Sequence, residues 1–132
     1  MFNHEVIDFT VEKFHLDSQE GYSIPSDIGV GLRRTDNKQA LAIVSEAYEP
    51  VQYQHIVSSV ESALDLSGLD MTDAEFETNV HDNGAKLELR AKFPAHTLRL
   101  EVRGNTDEVI PEFIFRTSHN RTWANNGMMG LW

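Results

Sequence analysis

Six histidines, at positions 4, 15, 55, 81, 96 and 119, are the side chains of this 132-residue sequence best suited to moving protons or holding a metal near neutral pH. None stands four residues from a second ligand on a helix, the spacing a zinc-binding helix uses. His96 and His119 are expected near one end of a sheet, where an Asp or Glu would complete a metal site. Histidines of turns and strand ends are the commoner case, and no metal is predicted. Ser118-His119 sets a hydroxyl beside an imidazole, but neighbours on a strand point to opposite faces, which argues against a relay. Gly29-Val30-Gly31 lacks the further glycine and the following helix of a phosphate loop. Carboxylates are abundant, and abundance removes their specificity, because an acid-base pair needs one perturbed member in a cleft. With no cysteine, disulfides and thiolate ligands are excluded. The sequence thus offers no catalytic residue and no cofactor, and predicts a protein that acts by binding.

Two charge patterns are candidates for that binding. Lys86, Arg90, Lys92, Arg99 and Arg103 are predicted to share one sheet surface, with Arg116 and Arg121 nearby. Such a surface can track the phosphates of a single strand. Glu88 and Glu101 interleave with these cations, and cross-strand ion pairs account for that alternation without a ligand. The second pattern is acidic. The net charge is -10, and it is unevenly spread: residues 1–82 hold 4 basic and 16 acidic residues, whereas residues 83–132 hold 7 basic and 5 acidic. Asp70, Asp73, Glu75 and Glu77 are candidates for docking on a basic partner, and phosphate backbones are repelled by such a surface.

The elements that must position these residues follow from periodicity. Residues 5–16 alternate in part, which predicts a strand with Ile7, Phe9 and Val11 on one face. Residues 17–29, with Gly21, Pro25 and Gly29, read as a loop. Val30–Arg34 and Ala40–Ser45 form a hairpin around Thr35–Gln39. After Pro50, Gln54–Leu66 carries an apolar stripe of Ile56, Val57, Val60, Ala63 and Leu64, which predicts a helix that Gly68 stops. Glu75–His81 and Ala85–Phe93 are strands joined at Asp82-Asn83-Gly84, a hairpin signal of the Asn-Gly type. In the second strand Leu87, Leu89, Ala91 and Phe93 oppose Lys86, Glu88, Arg90 and Lys92. Pro94-Ala95-His96 turns the chain into a strand over Thr97–Arg103, Gly104–Asp107 turns it again, and Glu112–Thr117 continues the meander with Phe113 and Phe115 on one face. The tail from Trp123 to Trp132 mixes large apolar and small residues and reads as the opening of a buried helix. Trp123 and Trp132 are candidate partner contacts, and an exposed apolar tail is a candidate surface for self-association. The fold class expected is α+β: an antiparallel meander in a single domain over residues 1–132, with one main amphipathic helix on one face.

Several short runs resemble the phage and plasmid proteins grouped as domain of unknown function family 932. They are Val30-Gly31-Leu32-Arg33-Arg34, Ala40–Ser45, Tyr48-Glu49-Pro50-Val51-Gln52, Asn83-Gly84-Ala85, Phe93-Pro94, Glu108-Val109-Ile110-Pro111-Glu112 and Thr117-Ser118-His119-Asn120. The resemblance spans roughly residues 28 to 132 and implies the N-terminal portion of such a protein. It implies origin in a mobile element and no catalytic residues.

Two binding readings follow. The first is a part in DNA metabolism through single-stranded DNA. The second is an acidic anti-defence inhibitor, anti-CRISPR or anti-restriction, that occupies a basic host protein surface. No basic leader, apolar leader or run of about 18 apolar residues is present, so the host cytoplasm is the expected location and no membrane partner is expected.

Overall fold

A computed structural model describes residues 1–120 in full and the backbone of 126–131. The alternation of Leu87, Leu89 and Ala91 makes Lys86–Lys92 a strand (β5) whose three apolar side chains are fully buried. It lies between β4 (Glu75–His81) and β8 (Pro111–Ser118) in a four-stranded antiparallel sheet that ends on β9 (Asn126–Leu131). A second antiparallel sheet joins β1 (Val11–Phe14), β2 (Val30–Arg34) and β3 (Ala40–Val44). The one α-helix among the described residues, α1 (Tyr53–Leu66), closes the core with Tyr53, Val57 and Leu64. Val30, Leu32 and Val44 from one sheet and Leu87, Leu89, Ala91 and Phe93 from the other belong to the same buried cluster as those helix residues. Each such large apolar side chain contributes about 1.5–3 kcal/mol on burial. The α+β class and its antiparallel sheets are as the sequence predicts.

The connection into α1 uses one side chain unusually. Gln52 stands at the N-cap, yet its amide does not cap the helix. Instead it accepts from the Val11 N–H (2.9 Å) and donates to the Val11 carbonyl (3.1 Å), which occupies part of the outer edge of β1. At the far end the Ser67 N–H bonds the Ala63 and Leu64 carbonyls, and Gly68 takes a positive φ of 72° that ends the helix as expected.

Three local expectations are corrected. β1 covers only Val11–Phe14; Ile7 and Phe9 point into the core as predicted, but from an irregular segment with a Phe9 N–H to Ile7 carbonyl bond of 2.8 Å. The hairpin at Asp82-Asn83-Gly84 is itself as expected, with positive φ at Asn83 and Gly84 and also at Asp82. The strand predicted over Thr97–Arg103 is β6 (Leu98–Val102), and it does not join the main meander. Arg103 and Gly104 take φ values of 53° and 81°, which reverse the chain in two residues, so that Asn105–Val109 becomes strand β7 and not the predicted turn over Gly104–Asp107. β6 and β7 form a separate two-stranded arm, and β5 pairs with β8 across the point where the arm leaves, with the Phe93 N–H bonded to the Pro111 carbonyl (3.0 Å). The tail is not the opening of a helix: Asn126–Leu131 is a strand that pairs with β8 from Pro111 to Arg116. Arg121, Trp123 and Trp132 lie outside the described residues.

Gly84 supports this packing twice over. Its φ of 106° is one that side chains rarely adopt, and a Cβ there would stand 2.8 Å from Cζ of buried Phe9. Gly84→Ala is therefore expected to lower stability by about 1–3 kcal/mol in chemical denaturation. A neutral result would show that this loop does not bear on Phe9.

Candidate functional site

The side chains predicted to do chemistry are distributed by this topology, not gathered. His119 follows β8 at the end where Lys86 pairs Ser118, whereas His96 lies beyond the opposite end of β5. The whole of β5 separates them, so the expectation that they share a sheet end is corrected. His96 is already engaged, since its Nε2 accepts from the Asp70 N–H (2.9 Å). No group of three or more metal-ligating side chains exists among the described residues. Ser118 lies on the Lys86 face of the sheet and His119 is buried, so the two side chains diverge as alternation requires.

His119 instead ends a column of stacked groups. The Arg34 guanidinium lies 3.9 Å from the Phe9 ring centroid, Phe9 meets Tyr53 edge-on at 5.6 Å, and Tyr53 stacks on His119 at 4.4 Å. The Arg34 side chain is oriented by two bonds to Asp36 (2.9 and 2.7 Å) and one to the Asn83 carbonyl (3.0 Å). Tyr53 Oη and His119 Nε2 are buried and have no hydrogen-bond partner among the described residues. Burial raises the Tyr53 pKa and lowers that of His119 to about 4. Both therefore stay neutral near pH 7.

The predicted basic surface is only partly assembled. Lys86, Arg90 and Lys92 share the outer face of the sheet with Arg116. Arg99 and Arg103 belong to the arm, a separate sheet, and not to that face. On the outer face the register interleaves Lys86, Arg90, Lys92 and Arg116 with Glu75, Glu77, Glu88 and Glu112, so the described charges cancel. Glu88 accepts from Arg90 and from Arg116, each at 2.7 Å, and Arg90 also reaches Glu112 (3.4 Å). Burial raises the Glu88 pKa, but the hydrogen bonds from Arg90 and Arg116 outweigh it and leave the carboxyl below its ordinary value. Lys86 pairs with Asp82 (3.1 Å), and on the arm Arg99 pairs with Glu108 (3.3 Å). Lys92 is exposed, and none of the observed ion pairs includes it.

The acidic candidates lie together along one edge. Leu69, Met71 and Ala74 pack against the core, which turns Asp70, Thr72 and Asp73 outward. Asp70 accepts from the Thr72 hydroxyl (2.6 Å) and N–H (3.0 Å), and these bonds hold its carboxyl below the usual range. Asp73 adopts a φ of 59°, and β4 then carries Glu75 and Glu77 on its outer face opposite Lys92 and Arg90. All four carboxylates are exposed, and no salt bridge among the described residues reaches them. Between Glu75, Glu77, Arg90, Lys92 and Glu112 lies a groove of about 230 Å³. Sequence reasoning missed the groove and the aromatic column, because both depend on register and on contacts between distant segments.

Comparison with known proteins finds no family model, no curated protein and no solved structure similar to this chain. The resemblance to the phage and plasmid family rests on the short runs alone.

The column has a measurable consequence. The folded state disfavours protonation of His119, while an unfolded chain takes the proton below its ordinary value of 6.5. The stability this residue permits is complete above pH 6.5 and falls as the pH drops towards 4, by about 3 kcal/mol over the window. His119→Phe keeps a stacking ring and removes the titration. The difference in unfolding free energy between wild type and this variant is expected to change across that window. A pH-independent difference would mean that the imidazole is not desolvated.

Proposed function

We propose that this protein is a non-catalytic binding protein whose acidic edge, Asp70, Asp73, Glu75 and Glu77, docks on a basic surface of a partner protein. One observation carries the reading: these carboxylates are exposed and free of salt bridges among the described residues, while Lys86, Arg90, Arg99 and Arg116 are held by carboxylates of the same chain. A net charge of -10 steers such a molecule towards cationic surfaces. Surfaces built to hold nucleic acid are the most basic that proteins present, and an acidic domain can occupy one without reading any sequence. An anti-defence role against a host nucleic-acid-binding complex fits this chemistry and the mobile-element resemblance.

A second reading keeps single-stranded DNA as the ligand. The observation in its favour is that Lys86, Arg90, Lys92 and Arg116 do share one face. Against it, four carboxylates share that face as well.

One set of titrations separates the two. At low salt the chain is expected to bind an arginine-rich probe peptide and to leave a labelled single-stranded oligonucleotide free. The variant combining Asp70→Asn, Asp73→Asn, Glu75→Gln and Glu77→Gln preserves shape and removes charge, with asparagine tolerated at the positive φ of position 73. It is expected to lose at least about tenfold in peptide affinity. Unchanged peptide affinity would remove the acidic edge from the reading. Oligonucleotide binding that weakens steeply with salt would move the function to the Lys86–Lys92 face.

A further inference from the structure

The arm formed by β6 and β7 is exposed almost throughout. Every residue from Leu98 to Glu108 is exposed, including Leu98 (46%), Leu100 (47%) and Val102 (58%). The register places these three on one face, with Val109 beside Leu98. A two-stranded ribbon standing alone is marginal in water, whereas sheets of three or more strands hold. Among the described residues β6 pairs only with β7, and no described strand covers its other edge.

That edge can pair with itself. The two-residue turn at Arg103-Gly104 makes Val102 and Asn105 the hydrogen-bonded pair next to the turn. Alternation then commits Leu98 and Leu100 to β7 and turns the N–H and C=O groups of Arg99 and Glu101 towards the open side. Set a second β6 antiparallel to the first about a two-fold axis at Leu100. Arg99, which also pairs with the exposed Glu108 of its own chain, then falls opposite Glu101 of the second copy, and Glu101 opposite its Arg99, as hydrogen-bonded pairs with opposite charges. Leu100 meets Leu100, and Leu98 meets Val102, on the face that β7 lines with Val109, Asp107 and Asn105. The outer edge of β7 has no such symmetry: its central residue, Asp107, would face its own copy. Charge therefore selects β6 over β7, and it also selects the register.

We propose that the chain forms a two-fold dimer through its arms, in which β6 pairs with β6 of a second copy to make a four-stranded antiparallel sheet. The interface is isologous, with Arg99 and Glu101 each used twice. The arm suits the purpose because its charges are nearly balanced: it carries Arg99 and Arg103 against Glu101, Asp107 and Glu108, whereas the chain as a whole carries -10. Two acidic bodies can thus be joined at the point where they repel least. The dimer is independent of the acidic-edge reading and leaves that edge open.

Sedimentation equilibrium of the full chain tests the assignment, with circular dichroism to confirm folding of each variant. The wild type is expected to dimerise. Arg99→Glu sets acid against acid across the axis, and Glu101→Arg sets base against base. Each alone is expected to weaken dimerisation by at least about tenfold. An equimolar mixture of the two variants restores both opposite-charge pairs and is expected to recover dimer as a heterodimer. A wild type that stays monomeric at the highest soluble concentration overturns the proposal. So do single variants that dimerise like the wild type, or a mixture that stays monomeric.

Discussion

The column from Arg34 through Phe9 and Tyr53 to His119 is the constraint on which the rest of the structure depends. It joins the N-terminal segment, the second strand, the start of the helix and the end of β8, so the two sheets and α1 share one core. Ring contacts of this kind add about 0.5–1.5 kcal/mol beyond the area they bury. Their larger effect is positional. With Tyr53 fixed, the apolar stripe of α1 turns inward, and with Phe9 fixed, the loop at Gly84 must pass close to its ring. The column is also costly, because two polar atoms in it have no hydrogen-bond partner among the described residues. That cost is acceptable where neutral rings pack closely, and it keeps His119 from serving as an exposed base.

The outer face of the main sheet follows a different logic. Cations there alternate with carboxylates along and across the strands, and Glu88 is bonded to Arg90 and Arg116 at once. A buried carboxylate held in this way is expensive to break, because removal of one partner leaves an uncompensated charge. The arginines are therefore structural members of the face before they can be ligands for anything else. The acidic edge differs because its loop and strand are fixed by Leu69, Met71, Ala74 and backbone turns, which leaves its carboxylates free of salt bridges among the described residues.

Much of the fold was legible because local rules decided it. The alternation in Ala85–Phe93, the stripe in Gln54–Leu66 and the paired runs around Thr35–Gln39 each give nearly the observed element. Leu87, Leu89, Ala91 and Phe93 are all fully buried, as a strict period of two demands. The failures came where distant strands compete for the same edge. Thr97–Arg103 has as good an alternation as Ala85–Phe93, and nothing within it reveals that β8 takes the place beside β5. The strand at Asn105–Val109 was hidden by its polar composition, since Asn, Thr, Asp and Glu read as a turn. The charged candidates were legible as residue types, but their ion pairs depend on register and were seen only as a general tendency. The column had no sequence signal, because its members come from segments far apart.

The bond between the Phe93 N–H and the Pro111 carbonyl has a consequence for how such a chain can change over generations. The main sheet is already closed at that bond, and the arm is an excursion that begins and ends there. Lengthening the excursion, altering its charges or replacing it with a tight turn leaves the ladder between β5 and β8 in place. Instructions for folding and instructions for assembly are thus written in separate stretches of the sequence. Descendants of one core can differ in oligomeric state or choice of copy while drifting little elsewhere.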